Sequence, residues 1–168
     1  NPYKLEGNNM AIPNRLHQYL DTCDIKYDTV AHIPTNNSAG TAIAAAIPMR
    51  QVVKAVIAED HEGRFLMVLL PASHKVNMGK LSDDLSRSLH LAKEQQVYTL
   101  FDDCVNGAVP PLGESYHMDM VYDDLLDKQS DVYFEAGDHT TLLHLKHDDF
   151  ARLMKDYKHS RFSAEVFH

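Results

Sequence analysis

No stretch of the 168 residues approaches the roughly 20 apolar residues that span a membrane. The chain also lacks the basic start, apolar centre and small-residue cleavage site of a secretory signal. Its two cysteines, Cys23 and Cys104, stand alone, with no CxxC and no framework spacing, which points to a reducing cytoplasm. Nothing near Cys104 marks an activated nucleophile, so it reads as a small buried thiol. Absent too are a GxSxG elbow, a P-loop and a GxGxxG dinucleotide fingerprint. Basic residues are short: 16 Lys and Arg face 24 Asp and Glu, a net charge of −8. That balance argues against a non-specific nucleic-acid binder, which needs a basic surface to neutralise phosphates. A small, local site for one end of a nucleic acid stays compatible with it.

What is present is an ordinary globular composition, 44% hydrophobic and 24% charged. The length suits one domain with its own core and no need of metal or disulfide staples. The first nine residues, NPYKLEGNN, carry no periodicity and read as a leader, leaving residues 10–168 as the domain. Helical spacing runs from Ile12 to Leu20, and a short strand from Ile25 to Val30. Residues Thr35 to Ser38 form a cap cluster before a small-residue helix, Ala39–Ala46. Gln51–Glu59 and Arg64–Leu70 read as a hairpin about a polar turn with Gly63. Pro71–Asn77 reads as a loop, Lys80–Leu89 and Lys93–Phe101 as helices, and Met120–Asp123 as a strand. Val132–Glu135 and Thr140–Lys146 are strands joined by the turn Ala136–His139, and His147–Tyr157 is a closing amphipathic helix. Strands and helices intermix without βαβ regularity, so the class is α+β.

Two features carry chemistry. Lys54 interrupts the strand VVKAVIAE, where both alternating faces are otherwise apolar. Such a lysine either reaches solvent at a strand end or lines a pocket as a cation for an anionic or carbonyl oxygen. The second is the run Gly107-Ala108-Val109-Pro110-Pro111-Leu112-Gly113, whose paired prolines exclude a central strand. It is either a tight connection or a pre-shaped loop offering backbone hydrogen bonds to a substrate. Asp138 and His139 sit at a turn tip; His139 is either solvated or placed to orient a water or hydroxyl. His139, His144 and His147 match no zinc spacing and have no nearby cysteine. The pairs Asp83-Asp84, Asp102-Asp103 and Asp123-Asp124 read as helix-start caps or solvated faces.

In order, VVKAVIAE, VLLPASH, GAVPPLG and FEAGDHTTLLHL resemble the YbaK/ProX-type aminoacyl-tRNA editing domains, also found inserted in bacterial prolyl-tRNA synthetases. The resemblance covers about Ile12 to Tyr157. It implies one mixed, partly barrel-like sheet surrounded by helices, and hydrolysis of the ester that joins a wrong amino acid to a tRNA. It implies Lys54, Gly107, Pro111 and His139 as catalytic residues, with Ala108, Val109, Pro110, Gly137 and Asp138 binding substrate. No metal or cofactor is implied. The partners implied are a tRNA acceptor end and an aminoacyl-tRNA synthetase, with no DNA and no membrane. Many members follow the lysine with asparagine where this chain has Ala55, and have glycine at Ala108; both differences bear on which amino acid is removed. Lys75, Lys80 and Arg87 are candidate phosphate contacts or a solvated helix face. The alternative function is a non-catalytic module binding an amino acid, a nucleotide or a protein tail in the same pocket.

Overall fold

The computed structural model describes residues 13–35, 37–104, 109–110 and 112–166. The leader, residues 1–9, and the loop residues Gly107, Ala108 and Pro111 lie outside the described residues. Helix α1, Asn14–Thr22, follows Pro13 and buries Leu16 and Leu20. Helix α2, Ser38–Ala44, begins where Asn37 accepts a hydrogen bond from the Gly40 amide at 2.7 Å, the usual N-cap chemistry. Helix α3, Met78–Leu85, is capped likewise by Asn77, at 3.0 Å from the Lys80 amide. Helices α4, Glu94–Leu100, and α5, His147–Met154, complete the set, α5 with Asp148 and Asp149 in its first turn and Arg152 in its last. That charge order suits the helix dipole.

The strands are β1 (Asp28–Ala31), β2 (Val52–Asp60), β3 (Phe65–Pro71), β4 (His74–Val76) and β5 (Leu89–Leu91). They continue as β6 (Asp119–Asp123), β7 (Asp131–Glu135), β8 (Thr141–Lys146), β9 (Lys158–Ser160) and β10 (Ser163–Glu165). Eight of them form one mixed sheet, in the order β1-β8-β7-β2-β3-β6-β9 with β5 joined to β2; β10 and β4 pair separately. The fold is α+β, as its sequence pattern predicts.

Alternation along β2 and β3 divides the core. Val53, Ile57, Met67 and Leu69 join the larger cluster with Phe134 and Leu143. Ala58, Leu66, Val68 and Leu70 face the other way, against Leu81 of α3 and Phe162. Val52 also faces that way, but packs with Ala42 of α2 and with Ala72. Lys54, half-buried, falls between these two smaller clusters and belongs to neither. The apolar pattern of β2 therefore breaks at the place where the cover over the sheet divides.

The structure corrects several expected boundaries. The helix expected to reach Leu89 ends at Leu85, because Ser86 turns left-handed (φ 53°) and releases the chain into β5. Pro71–Asn77 is not all loop: His74–Val76 pairs with Ser163–Glu165. The closing helix stops at Met154, and Lys158–Ser160 runs parallel to β6. Asp123 is no solvated face. It caps Leu125 while fully buried, and its second oxygen accepts from the Phe162 and Ser163 amides and the Ser163 hydroxyl. Asp83 and Asp84 lie in the second half of α3, not at its start.

Candidate functional site

β2 has β3 along one edge for nearly its whole length. Its other edge is shared. β7 runs parallel to it only at Val52↔Tyr133 and Val53↔Phe134, and β5 joins only from Ala58 to Asp60. Between them, Lys54 to Ile57 pair with no strand on that side among the described residues, although the Ile57 carbonyl accepts from the Ala92 amide just past β5. A cleft of about 200 Å³ opens at this gap, lined by Val53, Lys54 and Ala55 of β2, by Glu135 at the end of β7, and by Val109 and His139. Asn37 and Ser38, at the start of α2, close one end. Two depressions adjoin it. One, of about 300 Å³, lies between Lys54, Ala72 and Lys75. The other, about 230 Å³ and mostly apolar, runs from Ala55 and Val109 to Leu91 and Tyr98.

Lys54 is half-buried, and among the described residues its ammonium meets no carboxylate within ion-pair distance. Burial lowers its pKa, and the neighbouring charge of Lys75 lowers it further. Both effects disfavour the cation, so an anionic oxygen entering here would relieve both.

The turn after β7 carries His139 to the cleft. Gly137 adopts φ 112° and His139 φ 61°. A Cβ on Gly137 would stand 3.0 Å from Pro13 Cδ and 3.2 Å from Cys104 Sγ, so both backbone angle and space demand glycine. Asp138 accepts from the Thr140 and Thr141 amides at 3.0 and 2.8 Å, and from the Thr141 hydroxyl at 2.9 Å. Its carboxylate is occupied in holding the turn that carries His139. Of the residues expected from the sequence, the structure thus brings Lys54, Val109 and His139 to one cleft. Pro110 is buried, Gly137 and Asp138 shape the turn, and Gly107, Ala108 and Pro111 are not described.

The sequence reading passed over Glu135. This residue ends β7 and is 8% exposed. Its Oε1 accepts from the Thr41 hydroxyl at 2.9 Å, and Thr35 and Thr41 share a 2.5 Å hydrogen bond. Because Thr41 spends its proton on Glu135, Thr35 must be the donor to Thr41. His32 Nε2 lies 3.5 Å from the same Oε1, while its Nδ1 donates to the Ile33 carbonyl at 2.7 Å. Glu135 Oε2 is buried and accepts no hydrogen bond among the described residues. Desolvation raises the Glu135 pKa, against the opposing pull of the Thr41 hydrogen bond and of His32 and His139. A carboxylate two residues before a glycine turn looks like a strand leaving the core. Its burial depends on Thr41, 94 positions away.

Other candidates are engaged elsewhere. Cys104 Sγ lies 3.2 Å from the Tyr116 hydroxyl, and burial pushes its pKa up to about 12, so it is a thiol at neutral pH. Arg87 pairs with the buried Asp60 at 2.9 Å, and Lys80 with Asp84 at 3.0 Å. Of the three candidate phosphate contacts, Lys75 borders the cleft. His144 and His147 turn to Asp131 and to the Asp127 carbonyl, away from His139. Among the described residues, one group, Asp124, Asp127 and His159, has the spacing of metal ligands, and His159 and Asp124 are already paired there at 2.6 Å.

No curated protein matches the sequence, but solved structures share the fold. The crystal structure of "hypothetical protein APE2540" superposes with a TM-score of 0.79 at 19% identity, covering 90% of this chain and all of that one. A protein described as "a putative trans-editing enzyme for prolyl tRNA synthetase" gives 0.73 at 19% identity, over 89% of this chain and 95% of that one. A "putative signal transduction protein" from Marinobacter aquaeolei VT8 gives 0.74 at 16% identity, over 92% of this chain but 31% of that longer one. At these identities the likeness is one of fold. The family is shown by the sequence model of the aminoacyl-tRNA editing domain, which matches residues 32–153 and so spans β2, the Gly107–Gly113 run and the turn at His139. The chain belongs to the aminoacyl-tRNA editing domain family.

Proposed function

We propose that this protein is a trans-editing deacylase, hydrolysing the ester between a wrong amino acid and the terminal ribose of a tRNA of the prolyl-editing type. One observation carries the reading. Lys54 presents a half-buried ammonium with no carboxylate partner among the described residues to a cleft that His139 faces. In the reaction water adds to the aminoacyl carbonyl, the bond to the ribose oxygen breaks, and the amino acid and the free tRNA end leave. Lys54 holds the oxygen on which negative charge gathers, or the terminal phosphate, in a site where water screens it poorly. The Gly107–Pro111 loop, through Ala108, Val109 and Pro110, sets the carbonyl and the water. His139, held by Gly137 and Asp138, orients the hydroxyl or water. No metal and no covalent intermediate takes part. With an acidic surface, the protein takes the acceptor end alone or beside a synthetase in the cytoplasm.

The test is a deacylation assay on tRNAs mischarged with alanine, cysteine, serine or threonine, comparing the protein with Lys54→Met. Release of one amino acid, reduced about 100-fold or more in a folded variant, is the expected result. No release from any charged tRNA, even with a synthetase present, would sink the enzyme reading. It would promote the second one, a non-catalytic binding module. That alternative is favoured by the likeness to one part of a longer chain described as a signal transduction protein.

A further inference from the structure

The cleft holds two ionisable groups of opposite sign. They stand on adjacent parallel strands and the same face of the sheet, one residue beyond the Val53↔Phe134 pair, yet they form no ion pair. The cation is Lys54. The anion is Glu135, and nothing in the reaction proposed above uses it. Oε1 accepts from the Thr35–Thr41 chain and lies 3.5 Å from His32 Nε2, but Oε2 has no hydrogen-bond partner among the described residues, in a residue more than nine-tenths buried. A buried acceptor left unsatisfied costs free energy, and a carboxylate is the costliest kind. The groups around it do not remove the need. His32 faces Oε1 rather than Oε2, His139 favours the carboxylate by its charge without a hydrogen bond to Oε2, and Asp138 is turned to its own loop amides and raises the Glu135 pKa further.

An aminoacyl ester has the matching polarity. Near neutral pH its α-amine is partly protonated, with a reference pKa of about 7.7–8.0, and it stands two bonds from the carbonyl carbon that water attacks. We infer that Glu135 is a specificity-determining residue that accepts a hydrogen bond from the substrate's α-ammonium, so that the cleft selects acyl groups carrying a free amine. The inference rests on the deacylase reading for its choice of ligand. The contact would keep Glu135 ionised and the amine protonated, each charge favouring the other. Thr41 and His32 act as positioning residues that hold the carboxylate.

The test uses 3′-alanylamino-3′-deoxyadenosine, which cannot be hydrolysed as an ester, and its lactyl counterpart, where a hydroxyl replaces the amine with no added bulk. Calorimetric binding to the wild-type protein should favour the alanyl form by about 10-fold or more, the scale of a charge-assisted hydrogen bond. In Glu135→Gln, which keeps an acceptor for Thr41, the preference should collapse toward unity through loss of alanyl affinity alone. Equal binding of the two by the wild type, no binding of either, or a preference that survives in a folded Glu135→Gln protein would each overturn the inference. Turnover is scored separately. Alanyl selectivity in a protein that deacylates no tRNA would refute the deacylase reading and leave the ammonium site standing.

Discussion

Glu135 and Lys54 show at single residues how a site strains against stability. Each has its pKa moved by burial toward the neutral form, upward for the carboxyl and downward for the amine. For Glu135 the folded-state pKa lies above the unfolded 4.5. Between those values the folded protein holds the extra proton, and stability falls as pH rises through that window. Glu135→Gln removes the titration. Its melting temperature should therefore match or trail the wild type in acid and exceed it at neutral pH, by about 2–4 °C for each kcal/mol relieved. Scanning calorimetry between pH 4 and 8 would read this; a Tm difference that ignores pH would mean the carboxyl is not desolvated. Lys54 was legible in the sequence because it breaks an apolar alternation. Glu135 was not, because it ends a strand beside a polar turn and its partners Thr41 and His32 are remote in the chain.

Among the elements, β2 decides where the site is. Its second edge passes from β7 to β5 with four residues, Lys54 to Ile57, between them unpaired to any strand among the described residues, and the cleft opens in that interval. Val109 of the glycine–proline run lines it, and Gly113, the run's last residue, is held in place. Gly113 opens a 3-10 helix, Gly113–Tyr116, against β6. A Cβ there would stand 2.7 Å from Met120 Cγ and 2.8 Å from the Met118 carbonyl oxygen. The methionine can move; the backbone oxygen, in a segment tied by the 2.8 Å hydrogen bond from Met118 N to Gly113 O, cannot move cheaply. Gly113→Ala should cost about 1–3 kcal/mol, the range for overpacking, and urea denaturation would show it as a lower midpoint with unchanged slope. A neutral result would mean that the 3-10 helix shifts away from β6 without loss. The hairpin β2–β3 and the strands about the His139 turn were plain from local pattern. β4, β5, β9 and β10 were not: each has three residues and pairs with a distant or edge partner, so the chain near it carries no periodic signal.

For the whole molecule, charge limits how a nucleic acid can be held. A net charge of −8 argues against binding tRNA through a broad surface. Lys80 and Arg87 are committed to Asp84 and Asp60. Lys54 and Lys75 remain at the cleft, neither with an ion pair among the described residues. Deacylation should then be only weakly salt-dependent. Two phosphate contacts on a single strand give a slope of about −1.4 in log(kcat/KM) against log salt, at about −0.7 each. Lys75→Ala should bring that slope to about −0.7 and raise KM with kcat unchanged; a slope much steeper than −2 would reveal a basic surface elsewhere or a synthetase sharing the tRNA.

By itself, the sequence determined the class and the family and drew attention to Lys54, because composition, alternation and ordered short motifs are local properties that survive without a fold. The tertiary structure decided where along β2 the strand pairing lapses, that Arg87 serves the turn at Asp60 rather than a ligand, and that a carboxylate stands beside the lysine. Each of those depends on residues brought together from distant parts of the chain. Burial, and with it the cost and the reactivity of a charge, belongs to that assembled environment and not to the residue that carries it.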